Sequence, residues 1–278
     1  MASYSSMVVI QSVWASNLEA EFGRICDALY SHCRYSRVTV DTEFYLARPS
    51  LSSDNTHPCC QSPEQRYQDI RSRVDGGLGL RQLGLTLSSE LPGYPDLVWE
   101  FDFGCGLHRV PKDLESDNTL PKPQPWPRRQ DPRYMHLQPI HSYDFSKLLH
   151  CSGLLCNPDI TWVFFHSAYD IAYLLKLATF YRPLPSSLSD FYTGITTFFG
   201  GSHCIFDLKY LACCTHHLSG GLADVSKSLG VERIAGEAHQ AGSDSLLTSH
   251  TYECMIYACF PFDRAASHAG ILYGIHHI

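Results

Sequence analysis

The sequence predicts an α/β domain in which helices flank a mixed central sheet. Segments that favour strands come early in the chain, at 37–44, 80–88 and 97–105. Further along, a buried strand at 160–167 leads directly into a helix, and helices then alternate with one more short strand. Early strands followed by alternating helices and strands are typical of an α/β domain with a mixed sheet.

The first half of the chain is predicted to contain one helix and three strands. Apolar residues at helical spacing predict the helix over 13–30. The segment at 37–44, "RVTVDTEF", is rich in the β-branched residues that favour strands. The segments at 80–88 and 97–105 alternate with period two around the turn "ELPGYPD", so they predict a hairpin. The polar residues at 46–76 are predicted to form a loop.

The next segment, at 106–139, is a stretch rich in proline and charge. We predict that it is an insertion within a single domain spanning residues 1–278, because elements of one core continue on both sides of it. The helices predicted beyond it lie at 145–155, 168–179, 188–199, 208–217, 221–229 and 243–260, and the strands at 160–167 and 204–207.

Composition restricts the class of protein. The chain has 278 residues, of which 44% are hydrophobic and 18% charged, as is ordinary for a globular protein. Its 12 cysteines form no C-x-x-C pair, which favours a reducing compartment. No apolar run reaches the ~18 residues of a membrane span, and the amino terminus lacks the basic start of a signal peptide. We therefore expect no membrane association and a location in the cytosol or nucleus.

Two acidic residues in the first predicted strand indicate a cation site. The net charge of −7 argues against a simple basic nucleic-acid binder, but a carboxylate-rich nuclease site is itself acidic until cations bind. Asp41 and Glu43 lie at i and i+2 of a strand, so both point the same way, about 6.6–7 Å apart at the backbone. The alternative is a solvent-exposed face of an edge strand.

Two further acidic positions have simpler explanations when taken alone. Glu100 and Asp102 alternate with three aromatic residues in "WEFDF". The aromatic residues would form the apolar face, so we expect these two acids to face water. Asp170 falls in the first turn of the helix predicted at 168–179, where the helix dipole favours negative charge, and capping alone would explain it. His166 is expected to be a packed or supporting histidine.

The segment "HQAGSDSLLT" places His239 five residues before Asp244. Asp244 falls in the first turn of the last predicted helix, and the intervening glycine permits a tight turn that brings His239 back over the cleft. Four carboxylates, on Asp41, Glu43, Asp170 and Asp244, are able to hold two Mg²⁺ ions, which prefer oxygen ligands. A nearby neutral histidine is able to take a proton from an attacking water.

A zinc site is the alternative that "CCTHH" at 213–217 raises. Cys213 lies within one helical turn of His216 and His217, and these residue types bind Zn²⁺. No second ligand pair at a recognised spacing accompanies them, so we do not expect a zinc site here.

The acids are accompanied by distinctive stretches of sequence: "DTEF", "WVFFHSAYDIAYLLKL", "FDLKYL" and "GVERIAGEAHQAGSDSLLTS". Together these resemble the CCR-associated factor (Caf/Pop) deadenylase family, the ribonuclease subunit of the CCR–NOT complex. The resemblance covers about residues 12–275. It implies a ribonuclease-H-like fold of the DEDDh exonuclease type.

The resemblance also implies roles for individual residues. Asp41, Glu43, Asp170 and Asp244 would bind two divalent ions, Mg²⁺ or Mn²⁺, and His239 would be the general base. The implied activity is 3′→5′ shortening of the poly(A) tail of messenger RNA with release of AMP. The implied partners are the NOT scaffold and a deadenylase subunit with leucine-rich repeats, and the implied location is the nucleus and the cytoplasm.

The chain departs from the family pattern at two places. Tyr45 and Leu46 replace the usual proline and glycine after "DTEF", and 106–139 is proline-rich where the family has an acidic, helix-forming stretch. These departures leave open a catalytically weak paralogue that acts as an adaptor subunit. A DNA exonuclease of the same fold would share the acids but not the surrounding sequence.

Overall fold

Six strands form one mixed sheet in a computed structural model that describes residues 8–31, 34–46, 61–104, 138–215, 217–260 and 264–276. The strands are β1 (Ile10–Val13), β2 (Tyr35–Leu46), β3 (Leu78–Ser89), β4 (Leu97–Asp102), β5 (Thr161–Phe164) and β6 (Ile205–Asp207). The helices are α1 (Leu18–Leu29), α2 (Pro63–Gly76), α3 (Ser142–Cys151), α4 (Ala168–Ala178), α5 (Leu188–Phe198), α6 (Leu208–Cys213), α7 (Leu222–Ser228) and α8 (Ala241–Cys259). The insertion predicted at 106–139 lies almost entirely outside the described residues.

The strand order is β1-β4-β3-β2-β5-β6. β3 pairs antiparallel with both β2 and β4. The pairs β1–β4, β2–β5 and β5–β6 are parallel. Five strands therefore run in one direction, and the carboxyl ends of β2, β5 and β6 meet at the same edge of the sheet.

Different helices pack on the two faces of the sheet. On β5, Trp162 and Phe164 pack into the larger apolar cluster with α1 to α5, whereas Val163 packs into a second cluster with α6 to α8. Each large apolar side chain that is fully buried in this way contributes about 1.5–3 kcal/mol. The sheet is thus enclosed between two helical layers, as expected for an α/β domain.

The layer formed by α8 meets the sheet through small and polar residues. The hydroxyls of Thr86 and Ser245 lie 2.9 Å apart, and those of Ser88 and Ser249 lie 2.8 Å apart. These contacts explain why α8 is buried although its sequence is rich in serine and threonine. Within the described ranges, no helix combines the length and the apolar character that crossing a membrane requires.

The structure differs from the sequence-based prediction at the amino-terminal helix. That helix was predicted over 13–30 but begins at Leu18, and Val13 is instead the last residue of β1. β1 has four residues and gains its backbone partners only by pairing with β4. A strand this short carries too little pattern to be predicted.

The second correction is α2, which lies within the stretch predicted as a loop at 46–76. Its start is a capping box in which the Ser62 side chain accepts a bond from the Gln65 backbone and the Gln65 side chain accepts one from the Ser62 backbone. A buried apolar stripe then follows at helical spacing, formed by Tyr67, Ile70 and Val74. Both signals are local and were present in the sequence.

Candidate active site

Asp41 and Glu43 lie on the face of β2 that is turned towards α8. Val38 and Val40, at the alternate positions of β2, belong to the opposite apolar cluster. β2 pairs with β5 only over 37–39, so Asp41 and Glu43 lie beyond this pairing and have a strand partner only in β3. Burial nevertheless raises the pKa of both carboxyl groups, so their charge requires compensation.

The first turn of α8 approaches the sheet closely beside these acids. A Cβ atom on Gly84, which pairs with Asp41, would lie 1.9 Å from the carbonyl oxygen of Ala241, so only glycine fits there. The Gly242 amide donates to Glu100 Oε2 at 3.3 Å. This approach places Asp244, which is 8% exposed, at the carboxyl edge of the sheet.

The contact with α8 also overturns the expectation for the second acid pair. Glu100 and Asp102 were expected to face water, yet they are only 4% and 6% exposed. They alternate with the aromatic residues of β4 as predicted, but the start of α8 covers Glu100, and Asp102 accepts from the Gly104 amide at 2.7 Å.

The loop before α8 brings His239 to the same place. His239 has a φ of +63°, an uncommon conformation for a residue other than glycine, and its amide donates to Asp244 Oδ2 at 2.8 Å. The imidazole Nδ1 then lies 3.9 Å from Glu43 Oε1, and the side chain is 90% exposed. Potential ligand atoms of Glu43, His239 and Asp244 all lie within 4.8 Å of one another.

Asp170 reaches the site from the other face of the sheet. It lies in the first turn of α4, is 7% exposed, and accepts a hydrogen bond of 2.5 Å from the Thr42 hydroxyl. Thr42 lies between Asp41 and Glu43 in β2 and points the opposite way. Asp170 lies outside the three-residue group around His239, but its charge contributes to raising the pKa of Asp41.

The electrostatics show an excess of negative charge. Burial raises the pKa of Asp41 well above its usual value, and the charges of Asp170, Asp244 and Glu43 add to this effect. Burial and the charge of Asp244 also raise the pKa of Glu43. Burial raises the pKa of Asp170 to about 7, while the hydrogen bond from Thr42 opposes the shift. Neighbouring carboxylates repel one another, and a bound divalent cation stabilises their ionised forms.

Arg233 is a member of this site that the sequence analysis missed. Its Nη2 lies 2.5 Å from Asp244 Oδ1, and its Nη1 donates to the Ser243 hydroxyl at 2.5 Å. Its charge opposes the rise in the pKa of Asp41. Arg233 belongs to the "GVERIAGEAHQ" segment, but no local pattern shows that it turns back onto α8.

The residue types at the site fit a hard divalent cation. Four carboxylates supply only oxygen donors, which suit Mg²⁺ and Mn²⁺ better than softer metals. The zinc alternative involves Cys213 and His217, which are exposed, and His216, which lies outside the described residues. The neighbouring Cys214 Sγ lies 3.7 Å from His268 Nδ1.

The raised pKa of Asp170 predicts how stability changes with pH. Its folded value of about 7 exceeds the unfolded value of about 3.9. The carboxyl therefore favours the folded state while protonated, and this contribution is complete below about pH 4 and is lost as the pH rises through 7. In EDTA, Asp170→Asn should raise the melting temperature over wild type more at pH 8 than at pH 5. An equal difference at both pH values, measured beside the exposed control Asp159→Asn, would contradict this interpretation.

The mixed sheet between two helical layers, with carboxylates at the carboxyl edge of its strands, agrees with the ribonuclease-H-like exonuclease fold predicted from the sequence. The chain matches no protein-family model. It is 36% identical to the poly(A) ribonuclease pop2 of Schizosaccharomyces pombe over 89% of this chain and 69% of that protein. It is 32% identical to the probable CCR4-associated factor 1 homolog 7 of Arabidopsis thaliana over 96% of this chain and 94% of that protein.

Solved structures agree with these relatives. The S. pombe Pop2p structure described as the Mg²⁺- and Mn²⁺-bound form matches with a TM-score of 0.75 and 32% identity, covering 95% of this chain and 99% of that one. A chain in the structure of the yeast NOT1 MIF4G domain co-crystallised with CAF1 matches with a TM-score of 0.72 and 24% identity, covering 98% and 100%, which shows the fold. The chain belongs to the family of Pop2 and CCR4-associated factor 1. The family and the fold class predicted from sequence are confirmed.

Proposed function

We propose that this protein is a poly(A)-specific 3′→5′ exoribonuclease that shortens messenger RNA tails and releases AMP. The observation that carries the proposal is the grouping of Glu43, His239 and Asp244 within 4.8 Å, in a chain whose relative is named a poly(A) ribonuclease. An imidazole among carboxylates at the open edge of a sheet combines a proton acceptor with cation ligands.

Asp41, Glu43, Asp170 and Asp244 would hold two divalent ions, Mg²⁺ or Mn²⁺. The proposal is supported by their oxygen-only donor set, by the raised pKa values of three of them, and by the Mg²⁺- and Mn²⁺-bound structure of S. pombe Pop2p. When bound, such ions supply Lewis-acid stabilisation of charge on the attacking and leaving oxygens. The four carboxylates orient this chemistry by approaching from β2, α4 and α8.

His239 would act as the general base. Glu43 Oε1 lies 3.9 Å from its Nδ1, so the imidazole lies beside the proposed metal ligands, where a neutral ring is able to accept the proton of the attacking water. The ring is 90% exposed, so the proton passes from it to solvent without a relay. The bond between the His239 amide and Asp244 keeps the imidazole beside the carboxylates.

An acidic protein requires local contacts to select RNA. A net charge of −7 repels phosphate, so binding depends on the metal ions, on a few local cations and on stacking of bases. RNA differs from DNA at a given position by its 2′-hydroxyl. We therefore expect affinity for poly(A) to depend steeply on divalent ions and only weakly on monovalent salt.

The test uses four end-labelled substrates. Oligo(A) RNA should be shortened from its 3′ end, oligo(dA) poorly, RNA with a blocked 3′ end hardly at all, and a circular RNA not at all. Asp41→Asn protein purified in parallel excludes a contaminating nuclease. Equal degradation of oligo(dA) and oligo(A), or cuts within the circular RNA, would contradict the proposal.

The same assay tests a second candidate function, a catalytically weak adaptor subunit. The observation that favours it is Tyr45, which stands two residues after Glu43 where the family pattern has proline. Its ring packs on Gly79, where a Cβ atom would lie 2.2 Å from it. An adaptor would leave oligo(A) intact even at saturating Mn²⁺.

We also propose that residues 1–278 form a single DEDDh exonuclease domain with 106–139 as an insertion. We propose further that the protein acts within a CCR–NOT complex, bound to the NOT scaffold and a leucine-rich-repeat deadenylase subunit, in nucleus and cytoplasm. Support for the complex comes from the family itself, one member of which is named for its association with CCR4. Co-purification with an isolated MIF4G domain of a NOT scaffold tests the first of these contacts.

A further inference from the structure

Asp207 is a buried carboxylate outside the proposed metal site. It is the last residue of β6 and is 1% exposed. Oδ1 accepts from the amides of His166 at 3.1 Å, Lys209 at 2.9 Å and Tyr210 at 3.3 Å. Oδ2 accepts from the Ser167 amide at 3.1 Å, the Ser167 hydroxyl at 2.7 Å and the Tyr273 amide at 2.9 Å. Every bond it accepts comes from a neutral donor.

The bonds of Asp207 join three separate parts of the chain. Lys209 and Tyr210 lie in the first turn of α6, which Asp207 caps. Tyr273 belongs to the carboxyl-terminal segment, and its ring packs edge-on against the His166 ring with centroids 5.1 Å apart. Three of the six bonds go to the connection between β5 and α4, so capping of α6 does not account for them.

The connection between β5 and α4 depends on this carboxylate. His166 has a φ of +60°, which is costly for a residue other than glycine and persists only where surrounding contacts hold it. Ser167, the N-cap residue of α4, makes no side-chain bond to its own helix and donates to Asp207 instead. The place where α4 starts is thus determined from β6.

The start of α4 determines where Asp170 lies. The Ile171 amide donates to the Ser167 carbonyl at 2.9 Å, so the helical turn that carries Asp170 is built directly on Ser167. β5 is the neighbour of β2, which carries Asp41. Any shift of Ser167 therefore moves the Asp170 carboxylate relative to the carboxylates of β2.

We propose that Asp207 is a positioning residue for the metal site, which sets the place of Asp170 by fixing the β5–α4 connection. The inference rests on the proposed metal site, but not on the identity of the substrate. Residues that orient metal ligands without contacting the metal typically contribute about 10–100-fold to metal affinity or activity. Asp207 is not itself a ligand. It acts through the backbone of the segment that carries the ligand, and its charge also raises the pKa of Asp170. Ser167→Ala keeps this charge and therefore isolates the contribution of the backbone.

The test compares Asp207→Asn with Asp75→Asn. Asp75 holds the other end of α4: it accepts from Lys176 Nζ at 2.7 Å and from the Leu184 amide at 3.1 Å. Both variants make the same chemical change and should lower the melting temperature in EDTA. Only Asp207→Asn should weaken Mn²⁺ binding, by about 10–100-fold in calorimetric titration of the full chain without RNA. Asp75→Asn should bind Mn²⁺ like wild type.

Ser167→Ala is a milder second variant, which removes one of the six bonds and keeps the carboxylate. It should weaken Mn²⁺ binding on the order of threefold, as expected for loss of one hydrogen bond. Asp207→Asn that folds and binds Mn²⁺ with wild-type affinity would overturn the inference. If Asp207→Asn does not fold, wild-type affinity in Ser167→Ala overturns it instead.

The titration also separates this inference from the proposed function. Wild-type protein that binds Mn²⁺ but leaves oligo(A) intact would contradict the exonuclease activity and not the role of Asp207. Weaker Mn²⁺ binding in Asp207→Asn and Asp75→Asn alike would show a general effect of stability, and would also overturn the positioning role.

Discussion

Asp41→Asn should abolish poly(A) shortening and at the same time raise the melting temperature of the metal-free protein. Burial is the largest cause of the raised pKa of Asp41, and the negative charges of Asp170, Asp244 and Glu43 raise it further. A neutral amide removes this repulsion, and each kcal/mol of repulsion relieved corresponds to about 2–4 °C in a protein of this size. Activity should fall by more than about 10³-fold, because electrostatic stabilisation is usually the largest single contribution to catalysis.

End-labelled oligo(A) measures the activity, and thermal unfolding in EDTA at pH 8 measures the stability. Asp159→Asn, an exposed acid outside the site, should change neither. Near-normal shortening by Asp41→Asn would exclude Asp41 from the metal site, and a fall in its melting temperature would show that the charge is compensated without a cation. Asp244→Asn should also be inactive but without gain in stability, because Asp244 pairs with Arg233 at 2.5 Å.

The second large effect is expected at His239. His239→Ala should lower the rate of shortening by about 10²–10⁴-fold, the usual contribution of general acid–base catalysis. Stability should change little, because the side chain is 90% exposed. Affinity for Mn²⁺ should also change little, since the imidazole is proposed as a base and not as a ligand.

Single-turnover cleavage of oligo(A) and calorimetric titration with Mn²⁺ separate the two possible roles of the imidazole. His203→Ala, another exposed histidine, is the matched control and should retain wild-type behaviour in both measurements. Loss of Mn²⁺ affinity in His239→Ala would place the imidazole among the ligands. Both roles are compatible with the geometry, because ligand atoms of His239, Glu43 and Asp244 lie within 4.8 Å of one another.

Features that depend on a few neighbouring residues could be predicted from the sequence alone. The shared face of Asp41 and Glu43 follows from strand alternation, and the place of Asp244 in a first helical turn follows from the pattern after it. The hairpin of β3 and β4 was predicted for the same reason. The capping box of α2 at Ser62 is equally local, so this helix is also predictable from the sequence.

The sequence by itself therefore determined the order of the acids, the class of fold and the family. Only the tertiary structure decided which buried surfaces these residues meet. Strand alternation placed Glu100 opposite the aromatic residues of β4 correctly, but whether that face met water depended on α8, which arrives from a distant part of the chain. The partnership of Arg233 with Asp244 and the bonds of Asp207 to three separate segments likewise join residues that no short pattern relates. Such contacts are decided by how helices pack on the sheet, because burial and charge compensation depend on distances in space rather than on spacing along the chain.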